Sequence, residues 1–358
     1  MNRPSRVASR WLLLISLVVT HAVADETLHY PAAPDNGPAT SLVVHGALDL
    51  PQMQPLLEGF HRQNPDVTVR YRNLTTLALH ERFLAAPDEA DVLLSSAMPW
   101  QYRLANEGHA RALASPAAQR WPAWARWRHE LFAITFEPIV MVVNQAVIER
   151  FGEVRGHADL LALLERHAGA LQGRVVTYDP ATSGAGYTYA IEESRLSPRY
   201  WDLVAALGKA ETALADTTAE MLDGLIEGRY LVGYNLLGSY AQERLANQPQ
   251  LRIVVPEDYA LVTQRLALIP RQAPHPQAAE RFLDYLISET GQAVLARETP
   301  LGAIHPALDG PGTATALRQA RGEALRPIAV GPGLLATLDD LKREALLTRW
   351  QREFSRGE

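Results

Sequence analysis

Apolar and polar positions follow two periods along the chain, and together they predict strands and helices in turn. An apolar run at 41–45 is followed by apolar residues three and four apart up to Phe60, and then by alternating residues at 67–71. This order predicts a strand, a helix and a second strand parallel to the first, because such crossovers are right-handed. A helix at 77–84 and a strand at 90–94 continue the pattern. The sequence therefore predicts an α/β fold.

Two extended runs, at 131–144 and 262–270, divide the chain. The first is too long for one small strand and suits a strand that leaves one domain and enters another, and the second can carry the chain back. We therefore expect two lobes, each a doubly wound sheet, joined by two extended hinge crossings. The predicted boundaries are 41–137 for the first part of lobe 1, 138–261 for lobe 2, and 262–358 for the second part of lobe 1 with a C-terminal helical brace.

The N-terminus has the layout of a secretory signal. Three arginines precede the apolar run at 11–20, and small residues at 22–24 suit cleavage, so residues 1–24 are predicted to be a signal peptide. The apolar run is short for a membrane anchor. Residues 25–40 contain three prolines and are expected to form a flexible arm. The sequence predicts a soluble periplasmic protein.

Composition narrows the function. With 47% hydrophobic and 21% charged residues, the chain is typical of a globular protein with two cores. Loss of the three signal-peptide arginines takes the net charge from −6 to −9, which argues against nucleic-acid binding. The absence of cysteine excludes disulfides, thiolate metal sites and a cysteine lipid anchor.

A loop rich in small residues, Thr182 to Gly186, lies between a predicted strand at 173–177 and a helix that is in place by Tyr187. Its backbone can approach a ligand closely, the hydroxyls of Thr182 and Ser183 can donate, and the first amides of a helix attract negative charge. These properties suit a cradle for an anion. The same residues also suit a helix whose serine or threonine only caps its own first turn.

Polar side chains also follow other predicted strands. Ser95 and Ser96 end the strand at 90–94, where they can bind a ligand or cap the next helix, and His45 ends the first strand. Asn235 and Ser239 follow the strand at 230–234. In a doubly wound sheet these ends face one opening, where ligands bind.

Several catalytic motifs are absent from the sequence. The chain has no Gly-x-Ser-x-Gly elbow, His-Glu-x-x-His or Walker motif, its glycine run does not match a dinucleotide fingerprint, and we expect neither an enzyme nor a cofactor. Three tryptophans spaced by three, at 121–127, suit ligand stacking or ordinary packing. A ferric or zinc site remains an alternative through the following donors: His45, Glu137, Tyr234 and Tyr240.

Over nearly its whole mature length the sequence resembles the periplasmic solute-binding proteins of ABC transporters. The similarity is to the branch with ferric-ion-binding, sugar-phosphate-binding and phosphoglycerate-transport regulatory proteins. It is carried by short motifs in a fixed order, at 56–60 with Asn64-Pro65, 90–98, 171–175, 178–180 with Ser183-Gly184-x-Gly186, 234–240, 326–328 and 331–335.

This resemblance implies a type II two-lobed fold with a central cleft, and an inner-membrane permease as partner. It also implies ligand contacts from the loops that hold the following residues: His45, Ser95, Ser96, Thr182, Ser183, Gly184 and Asn235. Ferric members carry adjacent tyrosines where this chain has Asn235-Leu236-Leu237, and related chains tend to carry an acid where this chain has Pro99.

The sequence thus favours a monomeric receptor that captures a small anionic organic solute, either a phosphorylated sugar or acid or a carboxylate, and delivers it to an ABC importer. The predicted ligand-binding residues are His45, Ser95, Ser96, Thr182, Ser183, Gly184, Gly186, Asn235 and Ser239. The alternatives are a solute sensor that signals to a membrane sensor kinase, a ferric-ion binder and a secreted hydrolase.

Overall fold

The computed structural model describes residues 26–33 and 40–356, so the predicted signal peptide lies outside the described residues. The strands are β1 (Thr27–Tyr30), β2 (Thr40–Gly46), β3 (Val67–Asn73), β4 (Val92–Ser95), β5 (Ala110–Arg111), β6 (Arg126–Trp127), β7 (Leu131–Ala133), β8 (Glu137–Asn144), β9 (Val175–Tyr178), β10 (Ala213–Ala215), β11 (Val232–Leu237), β12 (Leu251–Val254), β13 (Ala260–Thr263), β14 (Leu266–Pro270) and β15 (Leu325–Pro327).

Helices alternate with these strands. They are α1 (Leu50–Gln63), α2 (Thr76–Ala85), α3 (Met98–Asn106), α4 (Pro116–Arg120), α5 (Gln145–Phe151), α6 (His157–Leu171), α7 (Gly184–Leu196), α8 (Tyr200–Lys209), α9 (Thr218–Ile226), α10 (Gly238–Arg244), α11 (Pro276–Leu286), α12 (Glu289–Glu298), α13 (Ala314–Arg321) and α14 (Asp340–Ser355). A 3₁₀ helix spans Pro332–Thr337.

The described strands form two sheets, which define two lobes. The first sheet has the order β1-β3-β2-β4-β14-β7-β6, with β5 beside β14. Strands β2 and β3 pair in parallel from Thr40 opposite Val67 to Gly46 opposite Asn73, which confirms the predicted strand–helix–strand unit. The second sheet has the order β10-β9-β11-β8-β13-β15, with β12 beside β8. The predicted two-lobed α/β fold is confirmed.

The two lobes are joined where the long extended runs change sheets. Strand β7 belongs to the first sheet and β8 to the second, so residues 134–136 cross between the lobes. Residues 264–265 return the chain from β13 in the second sheet to β14 in the first. The side chains in both crossings are almost fully buried. The hinge is therefore part of the packed interior.

Part of the expected N-terminal arm is a strand. Residues 27–30 form β1, which pairs antiparallel with β3 at the edge of the first sheet. Leu28 packs partly buried against the core, and the backbone groups of the β3 edge gain partners. The prolines of this segment predict a loose arm. The strand was not predicted because the β1–β3 pairing joins residues about 40 positions apart, and a local sequence pattern does not record such a pairing.

The sequence predicts that residues 262–358 belong to lobe 1, but the structure places part of this segment with lobe 2. Strand β15 pairs with β13 in the second sheet, and α14 packs on α8 of the second lobe. The 3₁₀ helix between them packs on α3 of the first lobe. Trp350 and Phe354 join the hydrophobic core of the second lobe. The C-terminal segment thus contacts both lobes, and its helix belongs with lobe 2.

Candidate functional site

The carboxyl ends of the central strands of both lobes lead into helices that approach each other at the boundary between the lobes, and we call the space between them the cleft. In the first lobe these are the starts of α1 and α3, and in the second lobe the starts of α7 and α10. Two pairs of residues mark where the lobes come close. Gln52 Nε2 donates to Glu243 Oε2 over 2.6 Å, and a Cβ added at Gly184 would lie 3.9 Å from Trp100 Cη2. The cleft therefore lies between two sets of strand-end loops.

The start of α7 is capped by its own serine. Ser183 Oγ accepts the amide of Gly186 over 3.2 Å, so the helix-cap interpretation of Ser183 is correct. The hydroxyl keeps its own hydrogen as a donor. Thr182 donates its hydroxyl to the carboxylate of Asp216. Both loop hydroxyls thus have partners within the protein. The amides of Gly184 and Ala185 lie in the first turn of α7, where backbone N–H groups have no acceptor within the helix.

The two glycines of this loop have different roles. Gly184 is exposed and faces Trp100 of the other lobe. Gly186 is buried, and a Cβ there would lie 2.6 Å from Tyr178 Cβ. Gly186 therefore permits the helix to pack against β9, and Gly184 is the glycine that opens towards the cleft.

The loop before α7 is held from the C-terminus. Arg343 of α14 donates to the carbonyl of Ala181 over 2.9 Å, and its guanidinium lies 4.5 Å from the ring centroid of Tyr187. This contact joins residues 162 positions apart in the chain. The final helix therefore fixes one wall of the cleft.

In the first lobe, Ser95 and Ser96 differ in their access to the cleft. Ser95 is buried and its Oγ accepts the amide of Ala97 over 3.1 Å, whereas Ser96 is partly exposed. Trp100 follows in the first turn of α3 and stacks on His80, with centroids 5.2 Å apart and ring planes at 15°. Sequence reasoning missed Trp100, although an aromatic residue just after a strand end was a usable indication.

A buried ion pair forms the floor between the lobes. Arg265 Nε donates to Glu137 Oε1 over 3.0 Å, and Arg265 Nη1 donates to the carbonyl of Ala47 over 2.6 Å. The same carboxylate accepts the hydroxyls of Thr135 at 2.7 Å and Ser239 at 2.5 Å. Ser239 is therefore bonded to the hinge, and Arg265 is a residue that sequence reasoning missed.

Tyr240 lies beside this floor. Burial raises the pKa of its hydroxyl, the nearby Arg265 lowers it, and Asp49 raises it through charge and a hydrogen bond. Asn73 also donates to Asp49, over 3.4 Å. Asp49, Asn73 and Tyr240 are each partly exposed, so they offer polar groups at the ends of three elements.

Asn235 lies inside the second lobe. It has a φ of 67°, at an irregularity of β11, and its Nδ2 donates to Glu193 Oε2 over 3.0 Å. Tyr234 donates to the same oxygen over 2.6 Å, and His157 Nε2 lies 3.2 Å from Glu193 Oε1. The side chain of Asn235 is therefore hydrogen-bonded in the interior of lobe 2, whereas the sequence predicted that it contacts a ligand in the cleft.

His45 is also placed differently from the expectation. It is 4% exposed and lies opposite Arg72 in the first sheet, on a surface shared with residues of β1 and β3. None of the other predicted ligand-binding residues lines that surface. The structure therefore places Gly184 against the other lobe, with Thr182 and Ser183 beside it in the same loop, and leaves His45 outside this group.

The alternative metal donors are not assembled. Glu137 bonds to Arg265, Tyr234 bonds to Glu193, and His45 lies opposite Arg72. Across residues 26–33 and 40–356, no group of three or more histidine, aspartate or glutamate residues is arranged to hold a metal ion. In the same residues no helix is long and apolar enough to cross a membrane.

Comparisons with known proteins give one consistent result. Residues 45–298 match the family model for bacterial extracellular solute-binding proteins. The substrate-binding protein of an ABC transporter from Agrobacterium tumefaciens is 34% identical, with a TM-score of 0.85, and the alignment covers 92% of this chain and 98% of that one. None of the curated proteins matches the chain.

More distant structures share the fold alone. Iron-bound HitA from Pseudomonas aeruginosa is 17% identical with a TM-score of 0.69, over 88% of this chain and 99% of that one. AfuA from Actinobacillus pleuropneumoniae, with fructose-6-phosphate bound, is 17% identical with a TM-score of 0.68, over 88% of this chain and 98% of that one.

Proposed function

Because this chain belongs to the bacterial extracellular solute-binding proteins, we propose that it captures a small anionic organic solute between its lobes. The captured solute is a phosphorylated sugar or acid, or a carboxylate, and is handed unchanged to an ABC importer of the inner membrane. The protein acts in the periplasm.

The observation that carries this proposal is the start of α7. Its first amides, at Gly184 and Ala185, lack acceptors within the helix, and the positive end of the helix dipole lies there. Gly184 is exposed and has no side chain to keep a ligand away from these amides. A helix of 13 residues with this start binds a phosphate or carboxylate group.

Three carboxylates near the cleft would repel an anion, but each of them accepts a hydrogen bond from a neighbouring group. Asp216 accepts the hydroxyl of Thr182, and Asp179 accepts the amide of Ala181 over 2.8 Å. Asp49 accepts from Asn73 on the other wall. Each carboxylate is therefore partly compensated by a donor.

Trp100 supports an organic ligand rather than a bare ion. Its ring stands opposite Gly184, and the stack with His80 fixes its orientation. An aromatic face suits the apolar face of a sugar or a short carbon chain. Ser96, which is partly exposed, then offers its hydroxyl to the hydroxyls of the ligand.

Ferric-ion binding is less well supported. The end of β11, directly before α10, carries Leu236 and Leu237 and no adjacent tyrosines, and Tyr234 donates to Glu193 inside the second lobe. Binding of fructose-6-phosphate by AfuA shows that this fold can hold an organic phosphate.

The experiment is a thermal-shift screen of metal-stripped protein with sugar phosphates, phosphoglycerates, dicarboxylates, inorganic phosphate and Fe(III) citrate, followed by calorimetry. A ligand at 100 times its Kd adds about 2.7 kcal/mol of stability. We expect a shift with an organic anion. A shift with iron alone would overturn the proposal.

The substitution Gly184→Leu tests whether the solute binds at the start of α7. The added Cβ meets only an ordinary contact with Trp100, so the unliganded fold is kept, while the longer side chain fills the space over the α7 amides. We expect at least a hundredfold loss of affinity. Gly169→Leu is the matched control, because an added Cβ at this helical glycine meets nothing within 4 Å. Equal affinity in both variants would place the ligand elsewhere.

A further inference from the structure

The four helix starts at the boundary between the lobes form two facing pairs. Strands β2 and β4 pair in parallel in the first sheet, and β9 and β11 pair in parallel in the second. The helices that follow them, α1 with α3 and α7 with α10, therefore begin at the same edge of each sheet. Across the boundary Trp100 of α3 faces Gly184 of α7, and Gln52 of α1 contacts Glu243 of α10. The cleft thus has an α3–α7 end and an α1–α10 end.

The α1–α10 end consists of two contacts that run in step along both helices. The hydroxyl of Tyr240 lies beside Asp49, the N-cap residue of α1. Three residues further along each segment, Gln52 Nε2 donates to Glu243 Oε2 over 2.6 Å. Residues three apart lie on one side of a helix, so the four side chains meet at one place. We call Asp49, Gln52, Tyr240 and Glu243 the acidic end of the cleft.

The two carboxylates of the acidic end have neutral hydrogen-bond partners. Glu243 accepts from the amide of Gln52, and Asp49 accepts from Asn73 over 3.4 Å. Asp49 is the N-cap residue of α1, yet its carboxylate caps no amide of that helix. Glu243 is exposed and Asp49 is partly exposed. Both charges therefore lie where a bound molecule can meet them.

The cations near the acidic end have their charges matched by other carboxylates. Arg265 of the hinge is buried together with Glu137, and the two form an ion pair of 3.0 Å. Arg297 shares a surface groove with Glu243, but the neighbouring Glu298 lines the same groove. Within the part of the chain that the structure describes, the two negative charges of the acidic end thus have no ion-pair partner.

Gln52 also has a hydrogen-bonding atom without a partner. Its side chain is 3% exposed, and among the described residues no donor reaches the buried Oε1. The amide cannot be turned over to satisfy it, because its oxygen would then face the carboxylate of Glu243. A buried acceptor without a donor is destabilising. A donor on a bound molecule would satisfy this oxygen.

We propose that the captured solute carries a protonated amine at the end away from its anionic group, and that this amine binds at the acidic end. An ammonium group has three N–H donors, so it can donate to Gln52 Oε1 and to the carboxylates of Asp49 and Glu243. A hydroxyl has one donor and leaves both charges without a counter-charge. The inference rests on the proposed function, since it takes the anionic group to lie at the start of α7.

The two lobes each supply part of this amine site. Asp49 and Gln52 belong to lobe 1 and Glu243 to lobe 2, so the solute enters while the lobes are apart and is enclosed when they meet. Packed helices lie about 8–10 Å apart, which sets the distance between the two ends of the cleft. A short carbon chain between the anionic group and the amine spans this distance.

The test is isothermal titration calorimetry of the metal-stripped protein with matched ligands at neutral pH. Propyl, butyl and pentyl phosphate, and the carboxylates of the same lengths, are each compared with the compound that carries a terminal amine. The same compounds with a terminal hydroxyl separate charge from hydrogen bonding. We expect an amine to bind at least tenfold more tightly than its alkyl parent and its hydroxyl analogue. Amines that bind no more tightly than these, or absence of binding by all the ligands, would overturn the inference.

Asp49→Asn should remove the preference for the amine. The substitution removes one charge and keeps the size of the side chain, so the ratio of amine to alkyl affinity should fall at least fivefold. Asp88→Asn is the control, because it removes the same charge from an exposed aspartate of lobe 1. An equal fall in this control would contradict the inference and indicate general electrostatic attraction. If Asp49→Asn fails to fold, Gln52→Met, which removes the acceptor without a donor, should lower the ratio about threefold.

The Gly184→Leu protein distinguishes failure of this inference from failure of the proposed function. The alkyl parents report on the anion site alone. If they bind, lose affinity in Gly184→Leu and are not surpassed by the amines, the inference fails and the proposed function stands. If Gly184→Leu leaves the affinities of parents and amines unchanged, both fail, because the anionic group then lies elsewhere.

Discussion

Arg265 lies on one crossing between the lobes and Glu137 directly follows the other, and their side chains form one buried ion pair, with Nε and Oε1 3.0 Å apart. Arg265 is 1% exposed and Glu137 is fully buried. Thr135 and Ser239 donate to the same carboxylate, so both of its oxygens are bonded. The pair therefore fixes where the two crossings meet.

Glu137→Gln should strongly destabilise the protein. The substitution leaves the guanidinium of Arg265 buried without its counter-charge, and loss of one partner of a buried pair costs about 3–5 kcal/mol. The measurement is urea unfolding followed by circular dichroism. Glu153→Gln is the control, because Glu153 pairs with Arg252 at 2.7 Å with both side chains 50% exposed. Such an exposed pair contributes below about 1 kcal/mol. Similar losses in both variants would contradict a special role for the hinge pair.

The unfolding free energy should fall as pH rises from neutral into the alkaline range because of His157. Burial by itself lowers the pKa of His157, but hydrogen bonds and charges from Asp258 and Glu193 outweigh it and raise this pKa to about 9. Histidine in an unfolded chain has a pKa of about 6.5. Protonated His157 therefore stabilises the fold fully below the unfolded pKa, and this stabilisation is lost as the pH rises through about 9.

The size of this effect follows from the pKa difference and is about 3 kcal/mol as an order of magnitude. Urea unfolding at pH 6, 7.5 and 9.5 measures it. His157→Gln is the control and should remove most of the slope over this range. A slope that survives in His157→Gln would show that other groups cause it.

Gly208→Ala should loosen the C-terminal helix. A Cβ at Gly208 of α8 would lie 1.8 Å from the carbonyl oxygen of Phe354, so α14 must move away. Overpacking of this kind costs about 1–3 kcal/mol. Limited proteolysis should then cleave α14 faster. Gly169→Ala, at a glycine with free space, should leave the cleavage rate unchanged or lower it.

Movement of α14 should also reach the cleft. Arg343 of this helix donates to Ala181, one residue before Thr182. Gly208→Ala should therefore weaken solute binding as well as speed proteolysis. Faster proteolysis with unchanged solute affinity would show that Arg343 does not position the loop.

Much of the fold could be predicted from the sequence. The strand–helix–strand start, the two extended crossings and the helix after Ser183 all follow from hydrophobic periodicity and from residues adjacent in the chain. Strand β1 and the docking of α14 on lobe 2 were not predicted, because each depends on a partner far away in sequence. Arg265 was missed because its partner Glu137 lies 128 positions away, which a local motif does not record.

The sequence by itself determined the order of strands and helices, the two lobes and the polar residues at strand ends, because periodicity and capping are local properties. Only the tertiary structure decided which of those polar side chains remain available. Asn235 bonds to Glu193, 42 positions away, and Ser239 bonds to Glu137, 102 positions away. His45 lies opposite Arg72 because strand register, not its place at a strand end, sets its neighbours. A buried polar group must find a partner, and which partner it finds depends on how distant segments pack.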